Sequence, residues 1–122
     1  MDPTSFEFQL GLTVTRKHND GVTCRLKLHP GLYNSEGAIH GGVLASVADE
    51  VAWHAILHQA GEPVRMTTTE LKVNYLRPVV GKQLTARGIV LKLGRFLMVT
   101  RIEIHDERRR LAAHATVTYA RL

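Results

Sequence analysis

A single cysteine, Cys24, in 122 residues leaves no internal disulfide to form. It stands in an alternating stretch, where a buried thiol is expected rather than a reactive one. Aromatic residues are scarce at 6%, too few for base-stacking surfaces, and no nucleic-acid motif accompanies them. No apolar run reaches the roughly 20 residues that cross a membrane, and no leader-like segment stands out. A cytoplasmic protein without nucleic-acid or membrane partners is the expectation. Repeats, linkers and low-complexity stretches are missing, so residues 1–122 read as one domain. The GxSxG elbow and any Cys-His pairing are missing too, which argues against a serine or cysteine hydrolase.

What is present is an ordinary globular balance, 44% apolar and 22% charged. Sixteen Lys and Arg against eleven Asp and Glu give a net charge of +5. That excess favours an anionic partner, and a phosphorylated small molecule fits at least as well as a polyanion.

The chain is organised around Val43 to Leu57, apolar except at Ser46, Asp49, Glu50 and His54. It lacks Pro and Gly and follows Gly41-Gly42, so it predicts one helix, apolar nearly all round and therefore buried. Leu44, Val47, Ala48, Val51 and Ala55 share one stripe, with Ala45, Ala52, Trp53 and Ile56 opposite. Asp49 projects on that second apolar side, whereas Glu50 points toward Ser46 and His54 and a wetter edge. A carboxylate among apolar groups costs several kcal/mol unless it is paired or used, so Asp49 is the first functional candidate.

Around this helix the chain reads as strands. Phe6 to Thr15 alternates loosely; after the Asn19-Asp20-Gly21 turn, Val22, Cys24, Leu26 and Leu28 alternate cleanly with polar residues. Pro30-Gly31 ends that hairpin, and Leu32 to His40 is a loop into the helix, which Gly61-Glu62-Pro63 stops. Four strands follow: Met66 to Leu76, Leu84 to Leu93, Arg95 to His105 and Leu111 to Tyr119. Gly88 marks a bulge or a close backbone approach. One helix segregated from six strands predicts an α+β domain whose mostly antiparallel sheet curls around the helix.

Gly41 and Gly42 place backbone N–H groups at the helix start, where the dipole favours negative charge. They suit either a simple turn or an oxyanion seat. Asp49 lies two turns further on, about 12 Å along the axis at 1.5 Å per residue. Donor and acid of one chain therefore do not meet at one small reacting group, and a two-fold dimer that joins one chain's glycines to the other's Asp49 is expected.

Asn34, Gly37, His40-Gly41-Gly42 and Ala48-Asp49, followed by Asn74-Tyr75-Leu76-Arg77-Pro78 and the Gly94-Arg95 pair, resemble the hot-dog thioesterases of the PaaI-like type. The resemblance covers nearly the whole chain. It implies a hot-dog dimer, often paired into a tetramer, that hydrolyses acyl-coenzyme A without a metal or cofactor, coenzyme A entering as part of the substrate. It places the nucleophile or general base on Asp49 and the carbonyl-polarising N–H on Gly41. Asn34 and His40 complete that side from the partner subunit, and Thr68 orients water, with Thr67 or Thr69 as neighbouring alternatives. For coenzyme A contacts it suggests Gly42, Arg77, Pro78 and Arg95, and for the acyl group an aryl or medium chain, phenylacetate intermediates included; Trp53, with Ile56 and Leu57, suits either the wall of such a pocket or plain packing. Glu50 has no role in this scheme, unless a shift of register makes it the acid.

His54 and His58 have metal-ligand spacing, but Ala55 stands where a zinc-protease motif needs Glu. Arg108-Arg109-Arg110 reads as a solvated turn. Two rivals remain: a hot-dog hydratase or dehydratase using His40 and Asp49, and a non-catalytic acyl-CoA-binding protein. Asn34 and Thr68, a water-positioning set, argue against the first, and an acid in an apolar setting argues against the second.

Overall fold

The computed structural model describes residues 2–122. In chain order it has α1 (Phe6–Leu10), β1 (Thr13–His18), β2 (Gly21–Lys27), a 3-10 turn (Pro30–Leu32), α2 (Gly41–Ala60), β3 (Met66–Tyr75), β4 (Gln83–Leu93), β5 (Leu97–His105) and β6 (Leu111–Arg121). The strands make one antiparallel sheet in the order β1-β2-β4-β5-β6-β3. The strand after the helix thus crosses to the far edge. This is the expected curled six-stranded sheet around one long helix.

The helix is longer than its apolar run. His40 caps it, its Nδ1 accepting the Gly42 N–H at 2.9 Å. At the other end Gly61 takes a left-handed conformation and returns its N–H to the Leu57 carbonyl at 3.1 Å. The stripe Leu44, Val47, Ala48, Val51 and Ala55 is buried, and so are Ala52 and Ile56; Ala45 and Trp53 are half-covered. α2 lies chiefly over β4, flanked by β2 and β5. Small residues on α2 let it approach closely. A Cβ on Gly88 of β4 would come 2.7 Å from Val51 Cγ1, so Gly88 serves close approach, while the β4 bulge falls between Val90 and Lys92.

The first segment departs from its expected form. Phe6 to Leu10 is one helical turn and not the beginning of a strand. Ser5 Oγ accepts the Phe8 N–H at 3.2 Å, and Gly11 closes the turn at a φ of 76°. These two caps outweigh a loose alternation that buries only Leu10. The strand begins at Thr13 and pairs with β2 as a hairpin.

Candidate active site

Asp49 stands midway along α2, half-buried, and is held by two hydroxyls. Thr68 Oγ1 donates to its Oδ1 at 2.7 Å. The Tyr119 O–H lies 2.9 Å from the same Oδ1 and 3.0 Å from the Asp49 carbonyl. Both donors reach one oxygen because Thr68 of β3 and Tyr119 of β6 are directly paired across the sheet, so their side chains leave the same face. A bulge between Thr68 and Glu70 sets which threonine faces inward: Thr69 Oγ1 instead bonds the Thr118 carbonyl at 3.3 Å. Oδ2 of Asp49 has no partner among the described residues. Burial raises the Tyr119 phenol above its ordinary value, which keeps it a proton donor.

These groups open on a cleft of about 850 Å³, closed on one side by α1. Trp53 lines it on the next turn of α2, with Phe8, Leu12 and Met66 as further apolar wall. Glu50 lines it as well, and not a wetter edge as its helical angle suggested. Its side chain is only 15% exposed, and α1 residues Glu7 and Phe8 line the same cleft. Burial, then the charges of Glu7 and Asp49, push its carboxyl up to about 7. His54 Nε2 lies 3.7 Å from Glu50 Oε2, whereas His58 turns away and its Nε2 meets the His18 carbonyl at 2.8 Å. The two histidines therefore have separate surroundings.

The glycine end of α2 forms a second group. Asn34 Oδ1 accepts the N–H groups of Glu36 at 2.9 Å and Ala38 at 3.1 Å, which shapes the loop ahead of the helix. His40 spends Nδ1 on Gly42, as described above. The Gly41 N–H finds no acceptor among the described residues. Tyr75 lies against Gly41, donating to its carbonyl at 2.8 Å. Arg77 and Pro78 follow β3 and are exposed; Arg95 is exposed in the β4–β5 turn, its guanidinium 5.6 Å from the centre of the Phe96 ring.

Of the residues singled out in the sequence, the protomer gathers Asp49, Thr68 and Trp53 in one cleft. Asn34, His40, Gly41, Gly42, Arg77, Pro78 and Arg95 do not line that cleft. The acid end offers a carboxylate with one oxygen anchored and one available, suited to attack or to taking a proton from water. The glycine end offers an unpaired helix N–H, suited to a developing oxyanion. Tyr119 was not singled out in the sequence. Its signal was a phenol in phase with the inward Ala113, Ala115 and Val117, but its tie to Asp49 depends on the β3–β6 register.

Known proteins agree with this architecture. The model of the thioesterase superfamily matches residues 36–113. A medium/long-chain acyl-CoA thioesterase, YigI of Escherichia coli K12, is 30% identical, the match covering 93% of this chain and 83% of that one. The crystal structure of thioesterase HI1161 from Haemophilus influenzae superposes with a TM-score of 0.89 at 24% identity, covering 98% of this chain and 83% of that one. The E. coli PaaI protein of the phenylacetic acid degradation operon follows at 0.84 and 23%, covering 93% and 81%. The last two likenesses carry the fold. With the family model over more than half its length, this chain belongs to the thioesterase superfamily and is a hot-dog thioester hydrolase.

Proposed function

We propose that the chain hydrolyses aryl or medium-chain acyl-CoA to the free acid and coenzyme A, at a site shared between two copies. The observation that carries this reading is the Asp49 carboxylate, anchored through Oδ1 by Thr68 and Tyr119 and available at Oδ2 inside the cleft. Oδ2 either takes a proton from water, whose hydroxide adds to the thioester carbon, or attacks that carbon itself to give a mixed anhydride that water then opens. In both routes the carbonyl oxygen gains negative charge and the C–S bond breaks, coenzyme A leaving as its thiolate. The partner's Gly41 N–H holds that oxygen, since a protomer's own lies about 12 Å along the axis from its Asp49. Asn34 and His40 shape the loop and cap that aim this N–H.

The dimer itself has support at the β3 edge. Leu71, Val73 and Tyr75 share the inward phase of β3, paired with Val117, Ala115 and Ala113. Yet Leu71 is 38% and Tyr75 53% exposed, because α2 meets β3 far less closely than it meets β4, β2 and β5 and only the Tyr75 hydroxyl reaches its first turn. A second copy paired along β3 covers them and brings its glycine loop toward Asp49; pairing of two dimers into a tetramer follows the family. Arg77, Pro78 and Arg95, exposed beyond the cleft, offer cations and a rigid turn to the coenzyme A phosphates. Trp53 with Phe8, Leu12 and Met66 makes an apolar acyl wall, and the relation to YigI favours a medium chain.

The test is thiol release from phenylacetyl-, benzoyl- and hexanoyl-CoA by wild type and Asp49→Asn. Release that falls by about 10²-fold or more in the variant, with dimer and ligand binding kept, is expected. Equal turnover by both proteins contradicts the assignment.

A further inference from the structure

The cleft around Asp49 has a charge opposite to that of the chain. The chain carries +5, yet Asp2, Glu7, Asp49 and Glu50 line the cleft, and no Lys or Arg does among the described residues. Asp2, Glu7 and Glu50 take no part in the hydrolysis, and of the three Glu50 is the one on α2 beside Asp49 and largely buried. It reaches His54 at 3.7 Å, within the same cavity as the apolar acyl wall. The groups that face it are Glu7 from α1, Asp49 and His54 from α2, the Cys24 thiol from β2 and the Tyr119 phenol from β6. Only His54 among them can become a cation, and burial disfavours its protonation. Burial together with Glu7 and Asp49 already pushes Glu50 up to about 7. The cleft thus resists the negative charge it holds, and one more meets the same resistance.

Resting on the reading of this cleft as the acyl site, we propose that Glu50 is a specificity-determining residue: it makes the cleft reject acyl groups that end in a carboxylate. The substrates are then thioesters of uncharged acyl groups, and half-thioesters of dicarboxylic acids are excluded. The discrimination needs no contact. Like charges within several ångströms in a half-buried cleft repel across the intervening groups, enough for roughly tenfold or more in selectivity.

The test compares hexanoyl-CoA with adipoyl-CoA, which differ at the far end of an equal carbon chain, so the coenzyme A contribution cancels. Wild type should show a kcat/KM ratio of at least about tenfold in favour of hexanoyl at pH 8, shrinking toward pH 6 as Glu50 gains its proton. Glu50→Gln should lower the pH 8 ratio severalfold and flatten its pH dependence. Glu7→Gln, an exposed change on α1 that leaves the core untouched, should shift the ratio the same way by less. An unchanged ratio in Glu50→Gln overturns the proposal; should that variant fail to fold, a wild-type ratio that is flat between pH 6 and pH 8 overturns it instead. Equal turnover of both thioesters by wild type sinks the specificity and leaves the thioesterase reading standing, whereas no turnover of either sinks both.

Discussion

Two hydroxyls on Oδ1 of Asp49 divide the labour within one carboxylate: one oxygen is fixed in place and the other faces the cleft. Thr68→Ala and Tyr119→Phe each remove one anchor without opening the core. Each should lower kcat by about tenfold with a smaller change in KM, and the double variant should lose less than the product, since both act through one oxygen. Steady-state thiol release measures all three, and an unaltered rate in both single variants contradicts the anchoring role. Glu50 gives the pH prediction. Its folded pKa of about 7 is raised above the ordinary carboxylate value, so its protonated form favours the fold and that stability is lost as pH rises through 7. Glu50→Gln should therefore raise Tm by a few degrees at pH 8 and leave it nearly unchanged at pH 4, in thermal melts. At this scale Asp49 was legible because a carboxylate interrupts an apolar helix face. Thr68 was legible only to within one residue, because a bulge decides which of three threonines turns inward. Glu50 was misplaced because helical angle takes no account of the cleft that α1 and the strands close around that side of α2.

Elements carry the packing that makes the cleft. α2 and the β2, β4, β5 and β6 strands were readable from period and from turn residues, since each buries a regular face. α1 was not, because five residues hold too little periodicity and only its caps define it. The close contact between α2 and β4 was marked in the sequence by Gly88 alone. Gly88→Ala should set a methyl against Val51 and destabilise the fold by about 1–3 kcal/mol, seen as a lower urea midpoint with an unchanged slope. A midpoint equal to wild type contradicts the tight packing.

At the scale of the molecule the helix separates the two groups that the proposed hydrolysis brings together. Acid and N–H donor lie two turns apart on one rigid element, a separation that residue spacing alone makes legible. The edge proposed to join two copies was less so, because β3 reads as Thr-rich and polar until its pairing to β6 shows which apolar residues go uncovered. Leu71→Lys places a charge on that edge and should convert the proposed dimer to a 13.6 kDa monomer in sedimentation, with far-UV signal kept and turnover lost.

The shared site is tested most directly by a mixed dimer of Asp49→Asn and Gly41→Pro chains, co-expressed with different tags and purified as the heterodimer. Proline suits the first helical position, removes the N–H, and its Cβ would meet Tyr75 only at an ordinary 3.5 Å. Each parent homodimer should be nearly inactive in thiol release. The mixed dimer should recover about half the wild-type rate, because one of its two sites combines an intact Asp49 with the partner's intact Gly41. A mixed dimer as inactive as its parents contradicts the shared site.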